Sequence, residues 1–263
     1  MIHRYIESAL LESASAEPRK LVLLLGPRQT GKTTLVRQIM EQSTGKTLYL
    51  TGDDPTVRTR LTDVGIESLR PILEGCDIFV LDEAQRITNI GVTLKLMADH
   101  FPNTRIIATG SSSFELANRI NEPLTGRKTE YNLYPVCWQE WESHVGVMAA
   151  ESGLEQRLLF GMYPEVLSRP GEEKEVLAGL ASDNLYRDLL SFAPIRKPEL
   201  LVQLLQALAL QVGAEVSFNE LSLLLKIDKQ TVANYITALE QAYVIFRLGP
   251  FSRNLRNEIS TTR

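Results

Sequence analysis

One stretch of the chain has the residue types and spacing of a phosphate-binding loop. Residues 26–33 read GPRQTGKT, which fits the pattern G-x-x-x-x-G-K-[S/T]. An apolar run, KLVLLL at 20–25, precedes the loop, and apolar residues at helical spacing follow it. Glycines let the backbone N–H groups of such a loop turn inward toward a phosphate, and the following helix N-terminus adds a partial positive charge. The sequence therefore predicts a strand–loop–helix unit that binds a nucleoside triphosphate.

The side chains of this loop have separate expected roles. Lys32 can reach the β- and γ-phosphate oxygens, and the Thr33 hydroxyl is placed to ligate Mg²⁺. Because its partner is the nucleotide, Lys32 is expected to face solvent when no nucleotide is bound. The predicted nucleotide-binding residues are Gly26, Pro27, Arg28, Gln29, Thr30, Gly31, Lys32, Thr33 and Thr34.

A second apolar run ends in two acidic residues. Residues 78–81, IFVL, are followed directly by Asp82 and Glu83. In a parallel sheet, neighbouring strands end together at the edge where ligands bind. We therefore expect Asp82 to hold Mg²⁺ through its water shell and Glu83 to polarise the attacking water. The alternative is that the two acids only cap a helix.

Three further runs complete a set of five strands: KTLYL (46–50), RIIAT (105–109) and TEYNLYP (129–135). Because strands alternate with helices along the chain, the sequence predicts an α/β fold with a doubly wound parallel sheet. The fourth strand runs into a glycine and three serines. We expect Ser111 or Ser112 to sense the γ-phosphate, with a turn and the N-cap of a helix as the plainer interpretation.

The composition agrees with an ordinary globular protein. The chain has 263 residues, 44% of them hydrophobic and 23% charged, with a net charge of −4. This length suits two or three domains, and this charge excludes a chain-wide basic surface for nucleic acid. No apolar stretch approaches the roughly 18 residues that a membrane span needs. We expect a cytoplasmic protein without membrane contact, whose two cysteines are reduced.

Taken together, these motifs resemble those of AAA-type ATPases. The order GPRQTGKTT, FVLDEAQ, IIATGSSS and LTGR is similar to that of bacterial and archaeal ATPases related to the STAND and origin-binding branches. The resemblance implies that the nucleotide is ATP or ADP and that the metal is Mg²⁺. It also implies the strand order 5-1-4-3-2 and, after the sheet, a helical lid and a winged helix.

The resemblance implies two further site elements. Arg127 precedes the fifth strand, where clamp loaders keep an arginine finger that often acts on a neighbouring subunit's nucleotide, so a homo-oligomer is expected; Arg119 is the alternative. Residues 161–167, GMYPEVL, resemble the Gly-x-Pro element that touches adenine in related ATPases. The spacing here is Gly-x-x-Pro, so the contact is assigned to Tyr163 or Pro164.

The last quarter of the chain has the pattern of a winged helix-turn-helix. Residues 217–220, SFNE, form a capping box before a short helix, and Asp228 can cap the next one, KQTVANYITALEQA. A hairpin over YVIFRLGPFSRN would supply the wing. In a DNA reader the third helix enters the major groove, and the outward residues would be Lys229, Gln230, Asn234 and Thr237, with Arg247, Arg253 and Arg256 on phosphates. In STAND-type ATPases a winged helix instead reports the state of the nucleotide domain.

These observations predict four segments: an ATPase domain (1–147), a helical lid (148–195), a winged helix (196–252), and the start of a missing C-terminal region (253–263). The predicted function is Mg²⁺-dependent ATP hydrolysis, acting on or regulated by double-stranded DNA. One alternative is a nucleotide-gated switch with slow hydrolysis and the winged helix as its reporter. Another is a DNA-binding protein in which the nucleotide is structural.

Overall fold

A computed structural model describes residues 2–15, 19–110, 124–181 and 198–248 of the chain. The predictions for Ser111, Ser112, Arg119, Arg253 and Arg256, and for segment 253–263, lie outside these residues. The chain divides into two compact units, residues 1–188 and 189–263. Each unit is described by itself.

The first unit contains one five-stranded sheet. Its strands are β1 (Leu21–Leu25), β2 (Thr47–Thr51), β3 (Ile78–Asp82), β4 (Arg105–Gly110) and β5 (Lys128–Asn132). The spatial order is β2-β3-β4-β1-β5, and all four pairings are parallel. Counted from the opposite edge, this order is 5-1-4-3-2. The parallel sheet predicted from the alternating strands and helices is therefore present.

The two faces of the sheet are covered by different helices, because residues that alternate along a strand point to opposite faces. In β1, Leu21, Leu23 and Leu25 belong to one apolar cluster, whereas Val22 and Leu24 belong to the other. The first cluster includes residues of α3 (Pro55–Leu61), α4 (Ile66–Leu73) and α5 (Ile90–His100). The second includes residues of α1 (Ile6–Ser15) and α2 (Lys32–Glu41). Burial on both faces explains why β1 is apolar at every position and why β3 is apolar from Ile78 to Leu81.

Short helices follow the sheet in the first unit. A single 3₁₀ turn, Ala84–Arg86, comes directly after β3. Beyond β5 lie α6 (Trp138–Val145), α7 (Val147–Ser152), α8 (Leu154–Phe160) and α9 (Pro164–Ser168), and residues 173–181 are also helical. The last of these helices pack around a small apolar cluster that contains Val166, Val176 and Leu180.

The described part of the second unit consists of three helices: α10 (Pro198–Ala209), α11 (Phe218–Leu225) and α12 (Lys229–Gln241). The side chain of Ser217 accepts a hydrogen bond from the Glu220 N–H, and that of Asp228 accepts one from the Thr231 N–H, so both predicted N-caps are present. Residues 243–248, the described part of the predicted hairpin, contain no strand. The wing therefore stays a prediction. Across the described ranges, none of the helices combines the length and the apolar character that a membrane span requires.

Candidate nucleotide-binding site

The loop between β1 and α2 is tightly curled. Gly26 has φ 146°, and a Cβ atom there would lie 2.1 Å from the carbonyl oxygen of Leu133, so no other residue fits without displacing the chain after β5. Gln29 and Gly31 are also left-handed, with φ of 60° and 95°. Alternation of left- and right-handed residues is the backbone pattern that turns successive N–H groups toward a bound anion.

Lys32 departs from its prediction. Its side chain is buried, and Nζ donates hydrogen bonds to the carbonyl oxygens of Gly26 at 2.7 Å and Pro27 at 2.5 Å. The expectation that Lys32 faces solvent is therefore wrong. The curled loop brings its own carbonyls to the ammonium group, and these satisfy N–H donors that water would otherwise have to satisfy.

Asp82 is the centre of a buried hydrogen-bond network at the carboxyl end of β3. Its Oδ2 accepts hydrogen bonds from the Thr33 hydroxyl at 2.7 Å and the Tyr49 hydroxyl at 2.6 Å. Its Oδ1 accepts one from the Thr109 hydroxyl. The structure thus brings Thr33 and Asp82 together, as predicted for a shared metal site, and adds two residues that the sequence did not indicate.

Tyr49 and Thr109 reach Asp82 from the strands on either side of β3. Burial, followed by the hydrogen bond to Asp82, raises the pKa of Tyr49 to about 12. The Arg37 guanidinium lies 5.0 Å from the centre of the Tyr49 ring, which is within the range of a cation–π contact. The two hydroxyl groups hold the Asp82 carboxylate from two sides, because Tyr49 donates to one of its oxygens and Thr109 donates to the other.

Glu83 adopts a strained backbone conformation beside this network. Its φ is 51°, which a residue with a side chain rarely adopts. The Glu83 N–H donates to the Thr109 hydroxyl at 3.2 Å, and the carboxylate accepts a hydrogen bond from the Gln85 amide at 2.6 Å. Gly52 lies against the Glu83 carbonyl, and a Cβ atom at residue 52 would approach that oxygen to 2.3 Å. Glu83 occupies the N-cap position of the 3₁₀ turn, but its side chain makes no cap hydrogen bond there.

Arg127 lies at the amino ends of the strands, opposite to the carboxyl ends where the phosphate loop begins. It precedes Lys128, which pairs with Leu21 at the start of β1, whereas the phosphate loop follows Leu25 at the other end. Four residues at roughly 3.3 Å each separate these ends by about 13 Å. Arg127 donates to the Asp99 carboxylate at 2.6 Å. The geometry therefore separates Arg127 from the phosphate loop of the same chain.

Tyr163 and Pro164 stand where α9 begins. Pro164 is the first residue of that helix, and the Tyr163 ring packs against the apolar cluster that contains Val166. Burial raises the pKa of the Tyr163 phenol. Next to Tyr163, the carbonyl of Met162 accepts a hydrogen bond of 3.0 Å from the Val136 N–H. Contact of Tyr163 or Pro164 with adenine stays a prediction.

The donor set at the carboxyl edge fits a nucleotide with Mg²⁺. Mg²⁺ prefers oxygen ligands and is commonly held by one or two protein oxygens together with phosphates and water. The Thr33 hydroxyl and the Asp82 carboxylate supply such oxygens, and they lie together at the N-terminus of the ten-residue helix α2. Lys32, the first residue of that helix, supplies a positively charged ammonium group.

Comparison with protein families agrees with this geometry. Residues 18–142 match the family AAA_14, described as an AAA domain. Residues 151–263 match a domain of unknown function, DUF8612. The AAA match covers the sheet, the phosphate loop and Asp82, and it supports a P-loop ATPase domain in this part of the chain.

Several curated proteins are similar to most of the chain, and all those named here are uncharacterized. MJ1544 of Methanocaldococcus jannaschii is 26% identical over 96% of this chain and 60% of its own length. Rv2008c of Mycobacterium tuberculosis is 29% identical over 89% of this chain and 51% of its own length. The chain thus spans between half and two thirds of the length of these relatives.

Among solved structures, a mutant form of Thermotoga maritima RuvB is 18% identical, with a TM-score of 0.43, over 92% of this chain and 88% of that one. The RuvB Holliday junction branch migration motor from the same organism is 15% identical, with a TM-score of 0.39 and the same coverage. Over residues 18–142, where its phosphate loop and buried aspartate meet, this chain is similar to AAA domains.

Proposed function

We propose that this protein binds Mg·ATP in the loop 26–34 and hydrolyses it. The observation that carries this proposal is the 2.7 Å hydrogen bond between the Thr33 hydroxyl and the Asp82 carboxylate. It joins the phosphate loop to a residue 49 positions away in sequence, at the edge of the sheet where parallel α/β proteins bind ligands.

Lys32 would bind the phosphates by exchanging acceptors. Its ammonium group now donates to the Gly26 and Pro27 carbonyls, which are neutral. Hydrogen bonds to ionised acceptors are roughly twice as strong as those to neutral ones. A phosphate oxygen that reaches the loop therefore competes successfully for the ammonium group, with the N-terminus of α2 adding to the attraction.

Asp82 and Thr33 would hold the metal, with Asp82 acting through water. A metal held there would supply positive charge that stabilises the negative charge developing on the phosphates. Tyr49 and Thr109 keep the Asp82 carboxylate in one orientation, which is what a fixed metal site requires.

Glu83 would accept the proton of the attacking water. Its position directly after Asp82 places it at the same edge of the sheet, and its left-handed backbone is the kind of strain that clusters at functional sites. The Gln85 amide already donates a hydrogen bond to one oxygen of this carboxylate, so that oxygen is engaged when no nucleotide is bound. This contact favours the slow, nucleotide-gated switch as the second candidate function.

The same proposal includes a neighbouring subunit and duplex DNA as partners. Arg127 is too far from its own phosphate loop to act there, so it would serve a second copy of the chain. In the second unit, only residues 226–228 separate α11 from α12, and α12 exposes Lys229, Gln230, Asn234 and Thr237. Arg247 forms an ion pair with Glu240, yet its side chain is 55% exposed, so it would remain accessible to a DNA phosphate. We place this activity in the cytoplasm.

The test is Mg²⁺-dependent phosphate release and ATP binding by calorimetry, on the whole 263-residue chain. Lys32→Ala should lose ATP binding, while Lys174→Ala, an exposed lysine near α9, should behave like the wild type. Circular dichroism checks that both variants fold. Wild-type affinity in Lys32→Ala would refute the assignment of the loop. Turnover that rises with duplex DNA supports the DNA-regulated enzyme, and slow turnover with retained ADP supports the switch.

A further inference from the structure

A buried arginine from the N-terminal segment contacts the phosphate loop. Arg4 lies just before α1 and is 9% exposed. Its guanidinium group donates to the Thr30 carbonyl at 2.8 Å, to the Tyr134 carbonyl at 2.6 Å and to the Glu140 carboxylate at 3.0 Å. One side chain therefore joins the N-terminal segment, the phosphate loop, the chain after β5 and helix α6.

The partner carboxylate is itself fixed in place. Glu140 Oε2 also accepts a hydrogen bond from the Cys137 N–H at 3.0 Å, and Oε1 accepts one from the Tyr5 N–H at 2.9 Å. Buried ion pairs of this kind often contribute little net stability, because desolvation offsets the attraction. The Arg4–Glu140 pair is better explained by what it holds in position.

The contact with Thr30 sets the direction of a neighbouring donor. The Thr30 carbonyl and the Gly31 N–H belong to the same planar trans peptide, so they point in opposite directions. Gly31 has a left-handed φ of 95°, and glycine has no Cβ atom to restrict the peptide planes around it. By holding the Thr30 oxygen on one side of the loop, Arg4 fixes the Gly31 N–H on the other.

The second arm of the guanidinium reaches the chain that leads to the lid. Arg4 Nη2 holds the Tyr134 carbonyl, and two residues later the Val136 N–H donates to the Met162 carbonyl at 3.0 Å. Met162 directly precedes Tyr163. The same arginine thus connects the phosphate loop to the segment predicted to lie near the base.

We propose that Arg4 is a positioning residue, held by Glu140, that keeps the Gly31 N–H directed at the phosphates and ties the phosphate loop to the 134–136 segment. This inference rests on the proposed function. Lysine cannot replace it, because a single ammonium group does not present the planar, forked donors that reach three separated acceptors.

The experiment compares Arg4→Lys with a matched control, Arg157→Lys. Arg157 pairs with Glu173 at 3.8 Å, both side chains are 9% exposed, and the pair joins two helices that follow β5. Calorimetry measures the binding of ATP and of inorganic tripolyphosphate, which has the phosphates without the base. Arg4→Lys should bind both about 10- to 100-fold more weakly, as expected when one or two charge-assisted hydrogen bonds are lost. Arg157→Lys should bind both like the wild type.

A second readout follows the Gly31 amide by ¹⁵N NMR. Its signal should shift when tripolyphosphate binds to the wild type, and the shift should be smaller at saturation in Arg4→Lys. Wild-type affinity in Arg4→Lys, or affinity losses in the two variants that simply follow their losses in Tm, would overturn the proposal.

If Arg4→Lys does not fold, Glu140→Gln replaces it, because glutamine keeps the size and one oxygen acceptor of the partner. Its affinity for tripolyphosphate should fall several-fold, roughly the effect of weakening one hydrogen bond, and an unchanged affinity would overturn the proposal. A wild type that binds neither ATP nor tripolyphosphate would refute the proposed function, which is a distinct result.

Discussion

Polar side chains at the carboxyl ends of the strands, the carboxyl edge, differ in burial and pairing from Arg127 and Asp99 at the amino ends, the amino edge. At the carboxyl edge, four polar side chains are no more than 5% exposed, namely those of Thr30, Lys32, Asp82 and Thr109. Each bonds to the loop backbone or to another member of the network. Burying such groups costs free energy unless they are paired, so this edge keeps a network that packing alone does not require.

At the amino edge, Arg127 and Asp99 form a surface pair. Arg127 bonds to Asp99, and the hydrogen bond that it donates lowers the pKa of the Asp99 carboxyl group. Exposed pairs of this kind typically contribute about 0–1 kcal/mol to stability. Asp82 and Asp99 therefore have different roles at the two edges. Asp82 accepts hydrogen bonds from three buried or half-buried side chains, whereas Asp99 pairs with one partly exposed arginine.

The largest expected effect comes from the amino edge. Arg127→Ala should lower ATP turnover by about 10³- to 10⁵-fold if it is an arginine finger, yet change the free energy of unfolding little, because its ion pair is exposed. Steady-state phosphate release and urea unfolding measure the two quantities. Lys128→Ala, one residue away at the same edge, is the matched control and should keep its turnover.

A mixture of two inactive variants tests whether Arg127 and Glu83 act on the same nucleotide from different copies of the chain. A Glu83→Gln subunit still carries Arg127 and can serve the intact Glu83 of an Arg127→Ala subunit. Mixing the two should therefore restore part of the turnover at concentrations where the wild type assembles. A chain that stays monomeric with ATP would exclude the trans role and would leave the switch as the better description.

At the carboxyl edge, Glu83→Gln separates binding from hydrolysis. Glutamine keeps the size of the side chain but accepts a proton from water poorly. Turnover should fall by about 10²- to 10⁴-fold, the usual range for a lost general base, while ATP affinity stays within error of the wild type. Glu67→Gln, at an exposed position on α4, is the control. Equal loss of binding and turnover would assign Glu83 a structural role.

The Gly52→Ala variant tests whether the strained Glu83 backbone depends on close packing. Alanine at this position would place its Cβ atom 2.3 Å from the Glu83 carbonyl oxygen, so one of the two segments must move. We expect a loss of about 1–3 kcal/mol in the free energy of unfolding, as for other overpacked sites, together with reduced turnover. Gly65→Ala is the matched control, because nothing lies within 4 Å of a Cβ atom there. Urea denaturation that cannot distinguish the two variants would contradict this account.

Much of the carboxyl edge could be predicted from the sequence. Runs of apolar residues mark the strands that are buried on both faces, so the positions of these strands and of their carboxyl ends are predictable from the sequence. The closeness of Thr33 and Asp82 follows from those positions. Thr109 was missed because its place beside Asp82 depends on the register of β3 and β4, in which Leu81 pairs with Ala108. Periodicity does not encode that register.

Tertiary contacts account for the other differences. The predicted fifth strand ran through residue 135, but β5 ends at Asn132 and Leu133 then passes directly over Gly26. Arg4 carries no local signal, since its acceptors are distant in sequence: the carbonyls of Thr30 and Tyr134 and the carboxylate of Glu140. Lys32 was expected to face water because a motif shows what a lysine binds and not which backbone oxygens lie nearby.

The smallest expected effect concerns Tyr49 and the pH dependence of stability, measured without nucleotide or metal. The pKa of Tyr49 is raised from 10.0 to about 12 in the folded protein, first by burial and then by its hydrogen bond to Asp82. A raised pKa means that the folded state holds the phenol proton more tightly than the unfolded state does. The stabilisation is thus fully present below about pH 10 and is lost as the pH rises from 10 toward 12.

Urea unfolding of the wild type and of Tyr49→Phe should show a difference in the free energy of unfolding that is constant from pH 7 to 9, about 1 kcal/mol for one hydrogen bond. This difference should shrink above pH 10. Tyr5→Phe, at an exposed tyrosine whose hydroxyl bonds to Gln139 and Ser143, is the control. A Tyr49→Phe difference that persists unchanged at the highest pH would mean that packing of the ring against Arg37, and not the hydroxyl on Asp82, is what Tyr49 contributes.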